Sequence, residues 1–183
     1  MSPRFPLVMM LMATSLLAGQ ATKSGQKTAF SLQALATSVT SMTATPSTIS
    51  FSATDPDLGP YSGNSAATVV FALSGGKTTK AWSVTVTAGT STFSGCTTIP
   101  TSSVKASCAS VAVNNSSGTA GTGTCSAAGT LSTTALTVAT GKEGSLTDTY
   151  TITINFLFTD SWTYIAKTSP TCPLTLTYSL TAA

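Results

Sequence analysis

Tyr150-Thr151-Ile152-Thr153-Ile154-Asn155-Phe156-Leu157-Phe158 puts an aromatic or branched apolar residue at every even position, and mostly hydroxyl or amide residues between them. Successive side chains of an extended chain point to opposite faces, so a period of two marks a strand with one apolar and one wet face. The same alternation recurs along the chain: Ile49, Phe51 and Ala53; Ala67, Val69, Phe71 and Leu73; Trp82, Val84, Val86 and Ala88; Leu136 and Val138; and Leu174, Leu176, Tyr178 and Leu180. Threonine fills many of the alternate positions, where its branched Cβ suits a pleated surface. No segment carries a sustained helical stripe, and the fold class expected is all-β.

Turn-forming clusters separate these runs: Asp55-Pro56-Asp57-Leu58-Gly59-Pro60, Ser74-Gly75-Gly76-Lys77, Gly141-Lys142-Glu143-Gly144 and Thr159-Asp160-Ser161. The second and fourth are short enough for hairpins, which predicts that Ala67–Leu73 pairs with Trp82–Ala88 and that Tyr150–Phe158 pairs with Trp162–Ala166. Many strands at such spacing describe a single-domain, immunoglobulin-like antiparallel β-sandwich. A chain of this length buries roughly 70 per cent of its unfolded surface, enough for one core.

Of 183 residues, 65 are Ser or Thr, 13 are charged and none is His. Without His, a Ser-based triad has no base, and no Gly-x-Ser-x-Gly elbow occurs. This composition points away from an enzyme. The net charge is +3 and the lysines are scattered from Lys23 to Lys167, so no cation cluster converges on phosphates and nucleic acid is not expected as a partner.

Met1 to Ala21 carries Arg4, the apolar run Leu7-Val8-Met9-Met10-Leu11-Met12-Ala13, then Leu16-Leu17-Ala18, and ends on the small-x-small triplet Gly19-Gln20-Ala21. It reads as a secretory signal peptide cleaved after Ala21, too short in its apolar part for the roughly 20 residues that cross a bilayer. Gln20 occupies the place where a lipoprotein box needs cysteine. The expected organisation is leader 1–21, N-terminal strand and linker 22–46, and sandwich 47–183, with no membrane span after cleavage. The product is expected outside the cell or on its surface.

Cys96, Cys108, Cys125 and Cys172 form an even set in an exported chain, which implies two disulfides. Their spacings of 12, 17 and 47 residues lack the paired knuckles of a thiolate zinc site, and no metal or cofactor is expected. Three connectivities are open; Cys96–Cys108 with Cys125–Cys172 is favoured, as a short loop around Pro100 and a tie from a Gly-rich excursion to the last strand.

Other chemistry is sparse. Asp55-Pro56-Asp57 offers two carboxylates to a calcium ion, but no further acid follows before Glu143, so a proline-stiffened turn is the simpler reading. Glu143, Asp148 and Asp160 all fall in apparent turns, which disfavours a glycosidase pair facing across a cleft. Trp82 and Trp162 lie in phase with strand cores and are expected to be buried, leaving Tyr61 as the exposed aromatic. Residues Asn114 to Gly123 read as a solvated loop pinned by Cys108 and Cys125, and the Asn-x-Ser patterns at Asn114 and Asn115 matter only in a eukaryotic secretory host.

After the leader, Thr22 to Lys27 is polar, and Ala29-Phe30-Ser31-Leu32-Gln33-Ala34-Leu35-Ala36 alternates through Phe30, Leu32 and Ala34. This strand either pairs at the edge of its own sandwich or completes the sheet of a neighbouring subunit, with Thr37 to Pro46 as tether. With the export signal, low charge, Thr-rich strands, cysteines and Tyr178 near the C-terminus, the chain resembles in organisation the secreted β-sandwich subunits of bacterial pili and surface fibres. The cysteines depart from the usher-assembled pilin pattern, which places a disulfide early in the domain. The resemblance implies a structural subunit whose partners are copies of itself. The alternative is a monomeric module binding surface proteins or glycans through the loops Asp55–Gly63 and Asn114–Gly123.

Overall fold

The computed structural model describes residues 7–13, 38–53, 56–74, 80–115, 117–164 and 172–182. Its strands are β1 (Leu7–Ala13), β2 (Ser38–Thr45), β3 (Thr48–Ala53), β4 (Tyr61–Ser62), β5 (Ala67–Ser74), β6 (Ala81–Ala88), β7 (Thr92–Phe93), β8 (Cys96–Pro100), β9 (Val104–Asn115), β10 (Thr122–Cys125), β11 (Gly129–Thr130), β12 (Leu136–Lys142), β13 (Thr147–Phe158) and β14 (Leu174–Ala182). Two short 3-10 turns, Pro56–Leu58 and Thr101–Ser103, are the helical segments among the described residues.

The strands form two large sheets, ordered β10-β12-β6-β14-β1-β3 and β11-β9-β13-β5-β2, with β4 beside the end of β13 and a small β7-β8 ribbon. Every pairing among the described residues is antiparallel except that of β1 with β14. The alternating runs turn their apolar residues inward: Val69, Phe71 and Leu73 of β5, Val84 and Val86 of β6, Tyr150 to Phe158 of β13 at even positions, and Leu174 and Leu176 of β14 are buried in one core.

Trp82 of β6 joins the two sheets, its ring centroid 5.1 Å from Phe71 and 4.9 Å from Tyr150, both edge-on, while Phe71 and Tyr150 stack at 5.0 Å. The indole fits because Gly141 of β12 and Gly123 of β10 carry no side chain. A Cβ on Gly141 would collide with the Trp82 ring and the Thr122 carbonyl, and one on Gly123 would collide with Val111.

The structure departs from the expected pairings in three places. Ala67–Ser74 and Ala81–Ala88 are not a hairpin: β5 and β6 lie in opposite sheets, because each buries its apolar set against the other across the core rather than beside it. Trp162 is in a turn and Tyr164 donates its N–H back to the Ser161 carbonyl, so β13 is not followed by a hairpin strand at Trp162–Tyr164; residues 165–171 lie outside those described. The expected linker Thr37–Pro46 is instead largely β2, paired with β5 from Ser38↔Ser74 to Thr45↔Thr68. Its Ser/Thr-rich sequence masks a strand whose Ala44 is buried against the core.

β2 and β3 run on in one direction while changing sheets. Thr45 shares a row with Thr68 and Thr153, and Phe51 reaches Phe158 at the far end of β13, with ring centroids 5.7 Å apart. β14 runs the opposite way. Its start follows Pro173, whose carbonyl accepts the Ser94 N–H beside Phe93 and Phe158, and its end pairs with Trp82.

The disulfides are Cys96–Cys172 and Cys108–Cys125, so the favoured connectivity is corrected. Cys108 on β9 and Cys125 on β10 lie in opposite sheets, and Cys96 on β8 meets the residue leading into β14; strand adjacency decides both pairs. With sequence separations of 76 and 17, loop entropy assigns about 4.5 kcal/mol to the first and about 3 kcal/mol to the second. Non-reducing peptide mapping is expected to link the Cys96 fragment to the Cys172 fragment. In urea unfolding, the double variant Cys96→Ala/Cys172→Ala should lose more stability than Cys108→Ala/Cys125→Ala.

Candidate functional site

Three features beyond the core can act at a surface: a position in the six-stranded sheet that is partly filled among the described residues, an exposed aromatic patch, and a buried acid under a loop. The first is built by β14, β1 and β3. β1 pairs with β3 along six residues, Leu7↔Ala53 to Met12↔Thr48, but with β14 only at Leu11↔Leu174, Met12↔Thr175 and Ala13↔Leu176. From Thr177 to Ala182, the edge of β14 opposite β6 meets no strand among the described residues. Core exposure rises accordingly, from 0 % at Leu176 to 4 % at Tyr178 and 7 % at Leu180. The Tyr178 hydroxyl is buried without a hydrogen-bond partner among the described residues, and burial pushes its pKa up.

β1 falls entirely within the segment read as an export leader, and its sequence offers no polar residue in seven positions, unlike the alternating β5, β6, β13 and β14. Phe30, Leu32 and Ala34, the expected assembly strand, lie outside the described residues, as does Asp55.

The second feature corrects an expectation. Trp82 is buried as its phase suggested, but Trp162 is 56 % exposed, because the chain turns after β13 instead of extending. Its Nε1–H donates to Asp57 Oδ1 at 3.2 Å, and the next residue in the chain, Leu58, is 72 % exposed. Tyr61, expected to be the exposed aromatic, is half-buried against the core. Tyr164 packs on Phe158 at 6.3 Å, and burial with the nearby Asp160 charge raises its pKa. Asp160 itself accepts the Ser161 N–H at 2.8 Å.

The third feature was missed by sequence reasoning. Asp148 is in β13 rather than a turn and is fully buried, in phase with Tyr150 and Ile152. Its Oδ2 accepts the Gly121 N–H at 2.8 Å and lies 3.2 Å from the Tyr150 hydroxyl, which shares its proton with the Lys142 carbonyl at 3.0 Å. Thr119 N–H donates to Ser145 Oγ at 2.8 Å, and Ser145 N–H to the Thr119 carbonyl at 2.9 Å. The stretch expected to be a loop pinned by Cys108 and Cys125 is therefore pinned a second time, from beneath, and its flanks belong to β9 and β10. The signal lay in the sequence: an acid at an even position of the run that decides the fold.

Glu143 is also buried, while Asp160 and Asp57 sit in the turns after β13 and before β4. Asp148 and Asp160 stand at the start of β13 and just beyond its end, so they do not face each other across a cleft. No group of three potential metal-binding side chains occurs among the described residues, and no helix there is long and apolar enough to cross a membrane.

Burial first, and the Asp148 charge second, push the Tyr150 pKa up to about 12. An unfolded tyrosine releases its proton near pH 10. The unfolded chain therefore binds fewer protons above that pH, and stability falls as pH rises from about 10 to 12. In Asp148→Asn the charge contribution is gone while burial remains, so stability measured by urea unfolding between pH 9 and 12 should fall less steeply than in the parent. An equal slope in the two proteins would contradict this account.

No protein-family model, curated protein or solved structure matches the chain.

Proposed function

We propose that this chain is an extracellular structural subunit of a surface filament, an immunoglobulin-like sandwich exported by way of the leader 1–21 and assembled through strand-mediated contacts between copies. The observation that carries the reading is the sheet position between β3 and β14. Among the described residues it is held by Leu7–Ala13, a segment whose sequence marks it for removal. Without that segment, two sheet edges flank an apolar core, an arrangement that strand addition satisfies with main-chain hydrogen bonds.

The two disulfides fit an oxidising compartment, where such bridges persist. The low charge and hydroxyl-covered strands fit regular contacts with little electrostatic repulsion between copies. The sparse acids, with Asp148 committed to a loop anchor, support a role without catalysis.

The monomeric binding module is kept as a second reading by the patch at Trp162 and Leu58, since exposed indole rings grip sugars and protein surfaces at low entropic cost. Asp57 holds the Trp162 ring in place. Negative-stain electron microscopy of the exported, leader-free product is expected to show filaments that vanish when residues 22–36 are deleted, while Trp162→Ala/Leu58→Ser leaves them intact. Compact monomers from both the parent and the deletion, together with loss of glycan or cell binding in the Trp162 and Leu58 variant, would replace the filament reading with the binding one.

A further inference from the structure

We infer that the Cys108–Cys125 bridge is a thiol-exchange site: an incoming thiolate attacks Cys125, Cys108 leaves, and β10 is released from over Trp82, while Cys96–Cys172 stays closed. The site stands apart from both readings of function above.

The two bridges differ in what covers them. Cys96 and Cys172 are 3 % and 1 % exposed, inside the core. Cys125 is exposed, on a strand none of whose residues is buried, and Cys108 is half-buried against the core. Exchange needs a thiolate to reach one sulfur of the bridge, so exposure decides which bridge reacts, and exposed bridges are the labile ones. Ala106-Ser107-Cys108-Ala109-Ser110 and Gly123-Thr124-Cys125-Ser126-Ala127 contain no acid, so neither stretch repels an approaching thiolate.

A β-bulge brings Cys108 to the bridge. The register of β13 on β9 shifts between Thr153 and Ile154, whose partners are Ser110 and Cys108, so Ala109 is the extra residue. Bulges re-aim side chains. Before this one the even positions Val104 and Ala106 are buried, and beyond it the odd positions Val111 and Val113 pack on the core. Cys108 stands at the change of phase.

The chemistry is a balanced exchange. A thiolate bonds to the exposed Cys125 sulfur to form a mixed disulfide, the Sγ–Sγ bond breaks, and Cys108 departs with the electron pair and takes a proton from water. Cys108 Sγ lies 3.6 Å from the Ser110 carbonyl, which accepts the S–H that Cys108 then carries. A second thiol attacks the mixed disulfide, so that two external thiols are oxidised to one external disulfide while the protein bridge gains two electrons and two protons. The co-reactant is a thiol, carried by a small molecule or by a reactive cysteine of another protein.

Opening the bridge acts on β10. Among the described residues this strand pairs with β12 alone, from Thr122↔Lys142 to Cys125↔Ala139, and its flank is held by the Gly121 N–H on Asp148 at 2.8 Å. It contributes no buried side chain, so the bridge is its covalent hold on the opposite sheet. Gly123 lies over Trp82, close enough that a Cβ there would be 3.0 Å from the indole. Release of β10 therefore uncovers the ring on which the two sheets meet.

The test treats the folded, oxidised chain with reduced glutathione in one arm and, in the other, with a thioredoxin whose resolving cysteine is replaced by serine; free thiols are then blocked with N-ethylmaleimide and the peptides mapped. We expect the adduct on Cys125 and the maleimide on Cys108, about 100-fold faster than any reaction at Cys96 and Cys172, which are reached only through unfolding. The rate is expected to be unchanged by urea below the unfolding transition. Faster reaction with the thioredoxin would assign the thiol to a protein and faster reaction with glutathione to a small molecule, both upholding the site. An adduct on Cys108, parallel reaction of the two bridges, or a rate that climbs with the first additions of urea would overturn it.

The release of β10 is read separately. The Gly121 and Ser126 amides, which donate to Asp148 and to the Val138 carbonyl, are expected to exchange hydrogen about tenfold faster on reduction while those of β13 stay protected. In a Trp162→Phe background, emission from Trp82 should move to longer wavelength and return on reoxidation. Unchanged protection and emission would overturn the release, as would a loss of protection that extends to β13.

Discussion

Packing of Trp82 against Phe71 and Tyr150 holds the two large sheets in their relative positions. It is the point where the largest side chain of one sheet enters the other, and three rings within about 5 Å of one another fix both the separation and the lateral offset of the sheets. Aromatic pairs in such edge-on geometry add to the burial of their large apolar area. Glycine at 123 and 141 is the backbone's share of this contact: β10 and β12 can cover the indole only because neither places a Cβ over it. Once the sheets are locked at this end, β13 extends the core along its length to Phe158, where Phe51, Phe93 and Tyr164 converge.

Among the described residues, the two edges of β14 are unequally covered. β14 is well covered on its β6 side over seven register pairs, yet on the other side its neighbours among the described residues are three residues of β1. Its outward hydroxyls tolerate water, but its inward Tyr178 and Leu180 belong to the core and are less well covered than Leu174 and Leu176. A sheet edge with an apolar row behind it is a surface for strand pairing, and proteins that keep such an edge either cover it or use it. The exposed Trp162 and Leu58, by contrast, lie beyond the end of β13 and are not needed for the core.

Much of this was legible in the residues because period two is a local property. β3, β5, β6, β13 and β14 stand where the alternation put them, and β12 does so with a bulge at Thr137/Ala139 that buries Val138 and Ala139 in succession. β9 was not legible: Lys105-Ala106-Ser107-Cys108-Ala109 lacks the branched and aromatic residues that favour strands, and its extension comes from pairing with β13. Asp148 was legible in principle, through its phase, but an acid beside a Gly-rich cluster carries the stronger mark of a turn. Trp162 misled because its phase implied a strand, whereas the backbone turns at Ser161.

Spacing along the chain and residue type were enough to establish the all-β class, the faces of the main strands, the presence of two disulfides and the export-type pattern of the N-terminus. Which strands are neighbours was settled by three-dimensional packing. It separated β5 from β6, joined Cys96 to Cys172 and Cys108 to Cys125, and set Asp148 beneath Gly121. These are contacts between residues far apart in the chain, selected by how two apolar faces and a set of bulky rings pack together, and no local periodicity encodes that choice.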